Sequence, residues 1–417
     1  MPPSTPQASS ADASEKLGRP RRWVSRLFGP FWVVPSLWCL GAVAAGLLLP
    51  ELEQAQPSWF PLLFQGGATG ARSLLSTIAG AMISVTGLVF SITIVALQLA
   101  SSQFSPRVLR TFLDDRIPQN ALGVFAASFL YALTVLRSVI EGTSARSETV
   151  PQLAITMAYV LVLGSVAMFL WFIHHITLSI SVGSVITEIG LETRAMLGRR
   201  TGDESAAPGE ARPLQPYGEQ SVAVAVSSGV LDVIDVATLC RVARQHDVRI
   251  EVLHRLGTFV PEGAPLAMVH GGAATEDWDT LVSRGLELAS ERSMRQDVSY
   301  GLRQLVDVAE RALSPGINDP TTAVQVIDQL HDLLRRLGAG RDLDGLEADA
   351  DGVVRLVTRP WGFGDLLDLA VDEIAHWGAD GIQVPRRLEA MFDELAVGVQ
   401  LPFRGIVVAK RQQLRLS

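Results

Sequence analysis

Four long apolar segments set the strongest limit on how this 417-residue chain can fold. A helix needs about 20 apolar residues to cross the hydrocarbon layer of a bilayer. Four segments of that length seldom occur in the core of a soluble protein, so we predict four membrane spans. The segments are residues 31–50, 74–100, 121–140 and 150–176.

The basic residues between these segments predict the orientation of the chain. Five Lys and Arg residues precede the first span and three follow the second, whereas only Arg72 and Arg146 lie in the other two loops. Positively charged loops stay on the cytoplasmic side of a membrane. We therefore predict a multi-pass protein of the cell inner membrane, with both termini and the 101–119 loop cytoplasmic.

The two halves of the chain differ in charge. Residues 1–200 hold 14 Lys and Arg against 10 Asp and Glu, whereas residues 201–417 hold 21 against 33. An acidic C-terminal half argues against a nucleic-acid partner, because phosphate binding requires clustered basic residues. The two cysteines, Cys39 and Cys240, lie in different halves, so the sequence implies no disulfide framework.

The local patterns predict a four-span α-helical transmembrane bundle followed by a cytoplasmic α+β domain with a small β-rich subdomain. The β-rich part has short apolar runs separated by Gly and Pro, which is typical of strands and turns. Residues 276–338 are predicted to be helical, with a helix that restarts after residue 313, and a strand at 352–360 precedes helices at 363–379 and 384–398. The predicted divisions are a disordered tail at 1–27, a membrane domain at 28–176, a stalk helix and linker at 177–218, a β-rich subdomain at 219–272 and a mainly helical subdomain at 273–417.

The second apolar segment carries a stripe of small and polar residues on one helical face, at spacings of three and four residues. Two interpretations stay open. Small residues let another helix approach closely, which makes the stripe a packing seam. Alternatively, copies of this helix surround an axis and the stripe lines a water-filled path. The stripe residues are Thr77, Gly80, Ser84, Gly87, Ser91, Gln98 and Ser101.

Two further groups of residues are candidate sites. Arg107 and Arg110 follow the second span and are suited to contact with anionic lipid, or else are solvated charges that only set the orientation. Asp319 with Pro320 forms a good helix start, which predicts a capped helix junction. Asn318 and Asp319 alternatively mark an anion site at the helix start.

Motifs of known chemistry are missing from the sequence. The seven histidines have no zinc-site spacing, and the chain contains no Walker loop, dinucleotide fingerprint or nucleophile elbow. We therefore assign no catalytic, cofactor-binding or metal residue, and we predict no cofactor.

Two longer phrases are specific to a known family. The phrases FSITIVALQLASSQFSPRVLRTFLDDR, residues 90–116, and LVDVAERALSPGINDPTTA, residues 305–323, resemble the bacterial predicted membrane proteins called domain of unknown function 2254. The resemblance covers most of residues 25–400 and implies a multi-span inner-membrane protein. It implies no activity and no residue roles.

Three functional hypotheses remain at this stage. The first is a membrane-anchored sensor or scaffold with a cytoplasmic regulatory domain whose small-molecule ligand is unknown. The second is a homo-oligomeric, channel-like protein whose second span lines the axis. The third and least favoured is a membrane enzyme. The predicted partners are the lipid bilayer and further copies of the chain.

Overall fold

The computed structural model describes residues 31–55, 64, 66–103, 115–140, 149–179, 181–203, 218–272, 276–340, 345–349 and 351–416. The chain divides into two compact units, residues 1–180 and 181–417, and each is described by itself. The predicted disordered tail, residues 1–27, lies outside the described residues.

The described residues of the first unit form four long apolar helices, which confirms the predicted number of such segments. Each contains a stretch that is long and apolar enough to cross a membrane. In helices of this kind the backbone satisfies its own hydrogen bonds, as a lipid environment requires. The helices are α1 (Val33–Ala55), α2 (Ala68–Gln103), α3 (Arg116–Leu136) and α4 (Gln152–Ser179).

The α3 helix is the centre of the first unit. In its most apolar stretch of 18 residues, 56% of the residues are buried, compared with 17–28% in the corresponding stretches of the other three helices. Two of its polar side chains have partners on α4: the Tyr131 hydroxyl donates to the Ala154 carbonyl at 2.9 Å, and the Ser128 and Ser165 hydroxyls lie 2.9 Å apart. Such interhelical hydrogen bonds fix which faces of two membrane helices meet.

The second unit begins with helix α5 (Val182–Asp203), which covers most of the segment that we predicted to be a stalk. Its residues Ile186, Ile189 and Met196 are buried within the unit. Thr193 lies so close to Gly301 that a Cβ atom added at the glycine would be 2.1 Å from the threonine oxygen. Helix α5 is therefore packed into the second unit.

Two small sheets form the β-rich part of the second unit. The strands are β1 (Gln220–Val224), β2 (Gly229–Ile234), β3 (Arg249–Val252), β4 (Phe259–Val260), β5 (Pro265–His270), β6 (Leu286–Ala289), β7 (Leu346–Ala348) and β8 (Val354–Val357). The larger sheet has the strand order β1-β5-β3-β8-β7, with β3 and β8 parallel and the other pairs antiparallel. The smaller sheet is antiparallel, with the order β4-β2-β6.

The two sheets share one apolar core. They also include strands that follow residue 272, where the predicted β-rich segment ends. Leu231, Ile250, Val269 and Leu356 are among the buried side chains of the core, and helix α6 (Val236–Gln245) contributes Leu239. Strands β6, β7 and β8 lie outside the predicted β-rich segment, 219–272, yet they pair with strands inside it or with each other.

The remaining helices differ from the predicted pattern in one region. The helical prediction for residues 276–338 is wrong at Leu286–Ala289, which form a strand between a short helix and a long helix. A short apolar run such as 286–289 has no periodicity that separates strand from helix. The helices are α7 (Trp278–Ser283), α8 (Val298–Leu313), α9 (Pro320–Ala339), α10 (Phe363–Gly378), α11 (Gln383–Gly398) and α12 (Leu401–Leu416).

Candidate functional site

Helix α2 carries all seven residues of the predicted stripe. Six are exposed in the single chain, and the side chain of the seventh, Ser101, lies outside the described residues. The exposed members are Thr77, Gly80, Ser84, Gly87, Ser91 and Gln98.

The opposite side of α2 packs within the first unit. The buried residues Leu75, Met82, Val89 and Ala96 each come two positions before a polar member of the stripe. Two positions correspond to about 200° around an α-helix. The stripe therefore points away from the helices of its own bundle.

Two hydroxyl groups of the stripe, those of Thr77 and Ser84, have partners in their own helix. Thr77 donates to the Ser73 carbonyl at 2.8 Å, and Ser84 donates to the Gly80 carbonyl at 2.9 Å. A hydroxyl that donates to a carbonyl one turn earlier is compatible with an apolar environment. The geometry is therefore compatible with a dry contact between helices as well as with water.

The glycines of the stripe face open space in the single chain. A Cβ atom added at Gly80 or Gly87 would meet no atom within 4 Å. By contrast, a Cβ atom at Gly46 would lie 2.9 Å from Thr134, because that glycine permits a close contact within the bundle. The glycines of the stripe permit the same kind of contact with a helix from outside the bundle.

The Asn318–Asp319 junction forms the start of α9. Asn318 is exposed and has a φ of 50°, in the left-handed region that Asn tolerates better than most residues. The Asp319 carboxylate accepts from the Thr322 amide at 3.2 Å and from its hydroxyl at 2.6 Å. The hydroxyl hydrogen bond lowers the pKa of Asp319. A carboxylate therefore already occupies the position that a bound anion would take, and this geometry favours the cap.

The basic pair Arg107 and Arg110 lies outside the described residues, so the structure does not locate it. Nearby in the chain, the structure shows a contact between Asp115 and His175 that the sequence does not indicate. Asp115 caps α3 through the Ile117 amide, and its second oxygen lies 2.5 Å from His175 Nε2 near the end of α4. The partners lie 60 residues apart, and no periodicity of either segment indicates the pairing.

The described part of the second unit has several clusters of charged side chains that contain ion pairs. Lys410 is almost completely buried between Asp368 and Asp372, with distances of 2.7 and 2.6 Å. Arg292 donates to the buried Asp297 carboxylate at 2.6 Å. Such ion pairs hold helices and loops in place.

The described residues contain little that indicates catalysis. Burial, with a smaller contribution from Glu347 and Asp349, raises the pKa of Cys240 to about 11, so the thiol is protonated at neutral pH and is a poor nucleophile. Among the described residues, no three His, Cys, Asp or Glu side chains lie close enough together to hold a metal ion.

The fold and the candidate site together define a class of protein: four apolar helices of membrane-spanning length, followed by a unit of helices and small sheets. A family model described as Predicted membrane protein (DUF2254) matches residues 29–394. The chain belongs to this family of membrane proteins, whose function is unknown.

Two mycobacterial proteins are similar to the chain, and their names assign no function. It is 29% identical to the uncharacterised protein Rv1290c of Mycobacterium tuberculosis, over 98% of this chain and 80% of the relative. The uncharacterised protein Mb1321c of Mycobacterium bovis has the same identity and the same coverage. No solved structure matches the chain significantly.

Proposed function

We propose that this protein is an inner-membrane scaffold or sensor that assembles with further copies of itself through the α2 stripe. In this proposal the second unit is a cytoplasmic regulatory domain. One observation carries the proposal: the stripe of small and polar residues is exposed and points away from its own bundle. Small residues on a membrane helix stabilise it most when a second helix approaches them closely, because lipid chains pack equally well on larger side chains.

A substitution at Gly87 tests the assembly. Gly87→Leu places a large side chain where a neighbouring helix would pack, so we expect the oligomer to dissociate. Gly164→Leu is a matched control, since Gly164 lies on α4, is exposed and also has no atom within 4 Å of an added Cβ. The measurement is the molecular mass of the purified protein in detergent by light scattering. An unchanged mass for Gly87→Leu, or a monomeric wild type, would contradict the proposal.

A channel is the second candidate, and the extent of the stripe favours it. From Thr77 to Gln98 the helix rises about 32 Å, which matches the thickness of the hydrocarbon layer. A ring of α2 helices would then present hydroxyl and amide groups along a whole transmembrane path.

Thiol labelling separates the channel from the packing seam. Cysteines are introduced singly at Ser84, Ser91 and Gln98 after Cys39 and Cys240 have been replaced, and intact membranes are treated with a polar, membrane-impermeant thiol reagent. A water-filled path predicts labelling at all three positions, with Leu88→Cys as the unlabelled control. Protection at all three positions would contradict the channel and favour the seam.

The proposed orientation has its own test. The basic flanks support cytoplasmic termini, because positive loops are retained on that side. A reporter that is active only in the cytoplasm should therefore be active when it is fused after Arg200. The same reporter should be inactive when it is inserted at 141–149, which is predicted to lie outside the cytoplasm. The reverse pattern would contradict the orientation without affecting the proposal for the stripe.

A further inference from the structure

A groove runs along the first unit on a side that the stripe does not include. One wall is α1 from residue 34 to residue 49, the floor includes Ala127 and Tyr131 of α3, and the other wall includes Met157 and Leu161 of α4. Its volume is about 440 Å³. This volume lies in the range of sites that bind small molecules.

Small residues of α1 create the depth of the groove. Gly41, Ala42 and Ala45 lie along its wall, between the larger side chains of Trp38 and Leu49. A Cβ atom added at Gly41 would meet no atom within 4 Å. The groove is therefore open at this point, and a single substitution can fill it without displacing neighbouring atoms.

The chemistry of the groove favours a hydrocarbon chain. Its described lining contains no charged side chain, and the Tyr131 hydroxyl is already used by the Ala154 carbonyl. All three helices are of membrane-spanning length, so hydrocarbon surrounds the groove. From residue 34 to residue 49, α1 rises about 22 Å, which accommodates an extended chain within a hydrocarbon layer of about 30 Å.

Polar contacts connect Trp38, near one end of the groove, to the start of α3, where Arg116 lies outside the groove lining. The Trp38 indole donates to the Asn120 side-chain oxygen at 3.0 Å, and the Asn120 amide donates to the Arg116 carbonyl at 2.7 Å. Arg116 is exposed, one turn before Asn120 on α3. A tryptophan beside a polar group is typical of the headgroup level, and an arginine at that level attracts anionic lipid.

We propose that this groove binds one acyl chain of an anionic phospholipid, whose phosphate lies near the Arg116 guanidinium. The groove and the start of α3 match the two parts of such a lipid. The apolar walls match the chain, and Arg116 matches a negatively charged headgroup.

Native mass spectrometry of the full-length protein tests the proposal, with phosphatidylglycerol and phosphatidylcholine of the same chain length as probes. The wild type should retain phosphatidylglycerol more strongly than phosphatidylcholine. Gly41→Leu fills the groove and should weaken the retention of both lipids at least tenfold. Arg116→Gln should weaken only phosphatidylglycerol, about fivefold, which is the effect of one basic residue near an anionic surface.

Gly164→Leu is the control, because this exposed glycine of α4 does not line the groove. If Gly41→Leu lowers the melting temperature, Met157→Trp fills the groove from the opposite wall instead. Three results would overturn the proposal: no lipid retained by the wild type, equal retention by the wild type and both groove-filling variants, or an equal loss in Gly164→Leu. Equal retention of the two lipids by the wild type would overturn the assignment of an anionic headgroup.

Discussion

Substituting Gly301 by Ala tests whether α5 packs against α8, as the second unit requires. The new Cβ atom would lie 2.1 Å from the Thr193 hydroxyl oxygen and 3.0 Å from two of its carbon atoms. Thr193 is completely buried, and its hydroxyl donates to the Ile189 carbonyl at 2.7 Å, so it has little freedom to move. We therefore expect Gly301→Ala to destabilise the protein.

The magnitude follows from two opposing effects. Overpacking of a core costs roughly 1–3 kcal/mol, and the short contact places this substitution near the upper value. Alanine in place of a helical glycine stabilises the helix by roughly 0.5–1 kcal/mol. The net loss is about 2 kcal/mol, which corresponds to a melting temperature about 4–8 °C lower in a domain of 150–250 residues.

A second substitution isolates the contact between the two helices. Thr193→Ala removes the hydroxyl and the methyl group but keeps the Cβ atom, so Gly301→Ala should cost clearly less in that background than in the wild type. The assay is thermal unfolding of the full-length protein in detergent, followed by circular dichroism, for the wild type, both single variants and the double variant. An equal loss from Gly301→Ala in both backgrounds would refute the packing of α5 on α8, because independent sites are additive.

Two further predictions concern α9. Asp319→Ala removes the carboxylate that accepts a hydrogen bond from the Thr322 amide, and it should lower the free energy of unfolding by about 1 kcal/mol, as measured by thermal unfolding. Asp319→Asn should lower it less, because Asn also caps helices. Burial, together with the neighbouring Arg387 guanidinium, lowers the pKa of His331 below its ordinary value of 6.5. The unfolded chain therefore takes up more protons than the folded one, and stability should fall as the pH falls below about 6.5. Thermal unfolding measured across this pH range should show a smaller loss of stability in His331→Gln than in the wild type. The control His376→Gln, at an exposed histidine, should show the same loss as the wild type. An equal loss of stability in both variants would contradict the assignment to His331.

The sequence was informative wherever a local pattern decides the structure. Four apolar segments indicated four apolar helices, and the Asp319–Pro320 pair indicated the start of α9. Both features depend on residues that are close together in the chain. The physical rules for span length and helix caps therefore apply to the sequence directly.

The sequence was less informative wherever distant segments meet. Periodicity predicted a helix for the region of α5, but it does not indicate that α5 packs through Thr193 against Gly301. The groove has walls from three separate helices, so no single segment predicts it. The run at 286–289 became a strand because β2 pairs with it, which is a contact across more than 50 residues.

The stripe on α2 depends both on a local sequence pattern and on contacts between distant segments. The sequence placed Ser84, Ser91 and Gln98 on one face of a helix, but not relative to the rest of the bundle. The structure adds that the buried residues Met82 and Val89 lie on the opposite face. The proposal of assembly through α2 rests on this observation, because it shows that the stripe points away from the other helices of the bundle.

Disulfide cross-linking in native membranes tests this central claim most directly. Ser91 and Phe90 are adjacent, both are exposed, and they lie about 100° apart around α2, so they form a matched pair at the same depth. After Cys39 and Cys240 have been replaced, single cysteines are introduced at each position and oxidised. Assembly through the stripe predicts covalent dimers for Ser91→Cys and few or none for Phe90→Cys. Cross-linking at Phe90 alone, or at neither position, would contradict it.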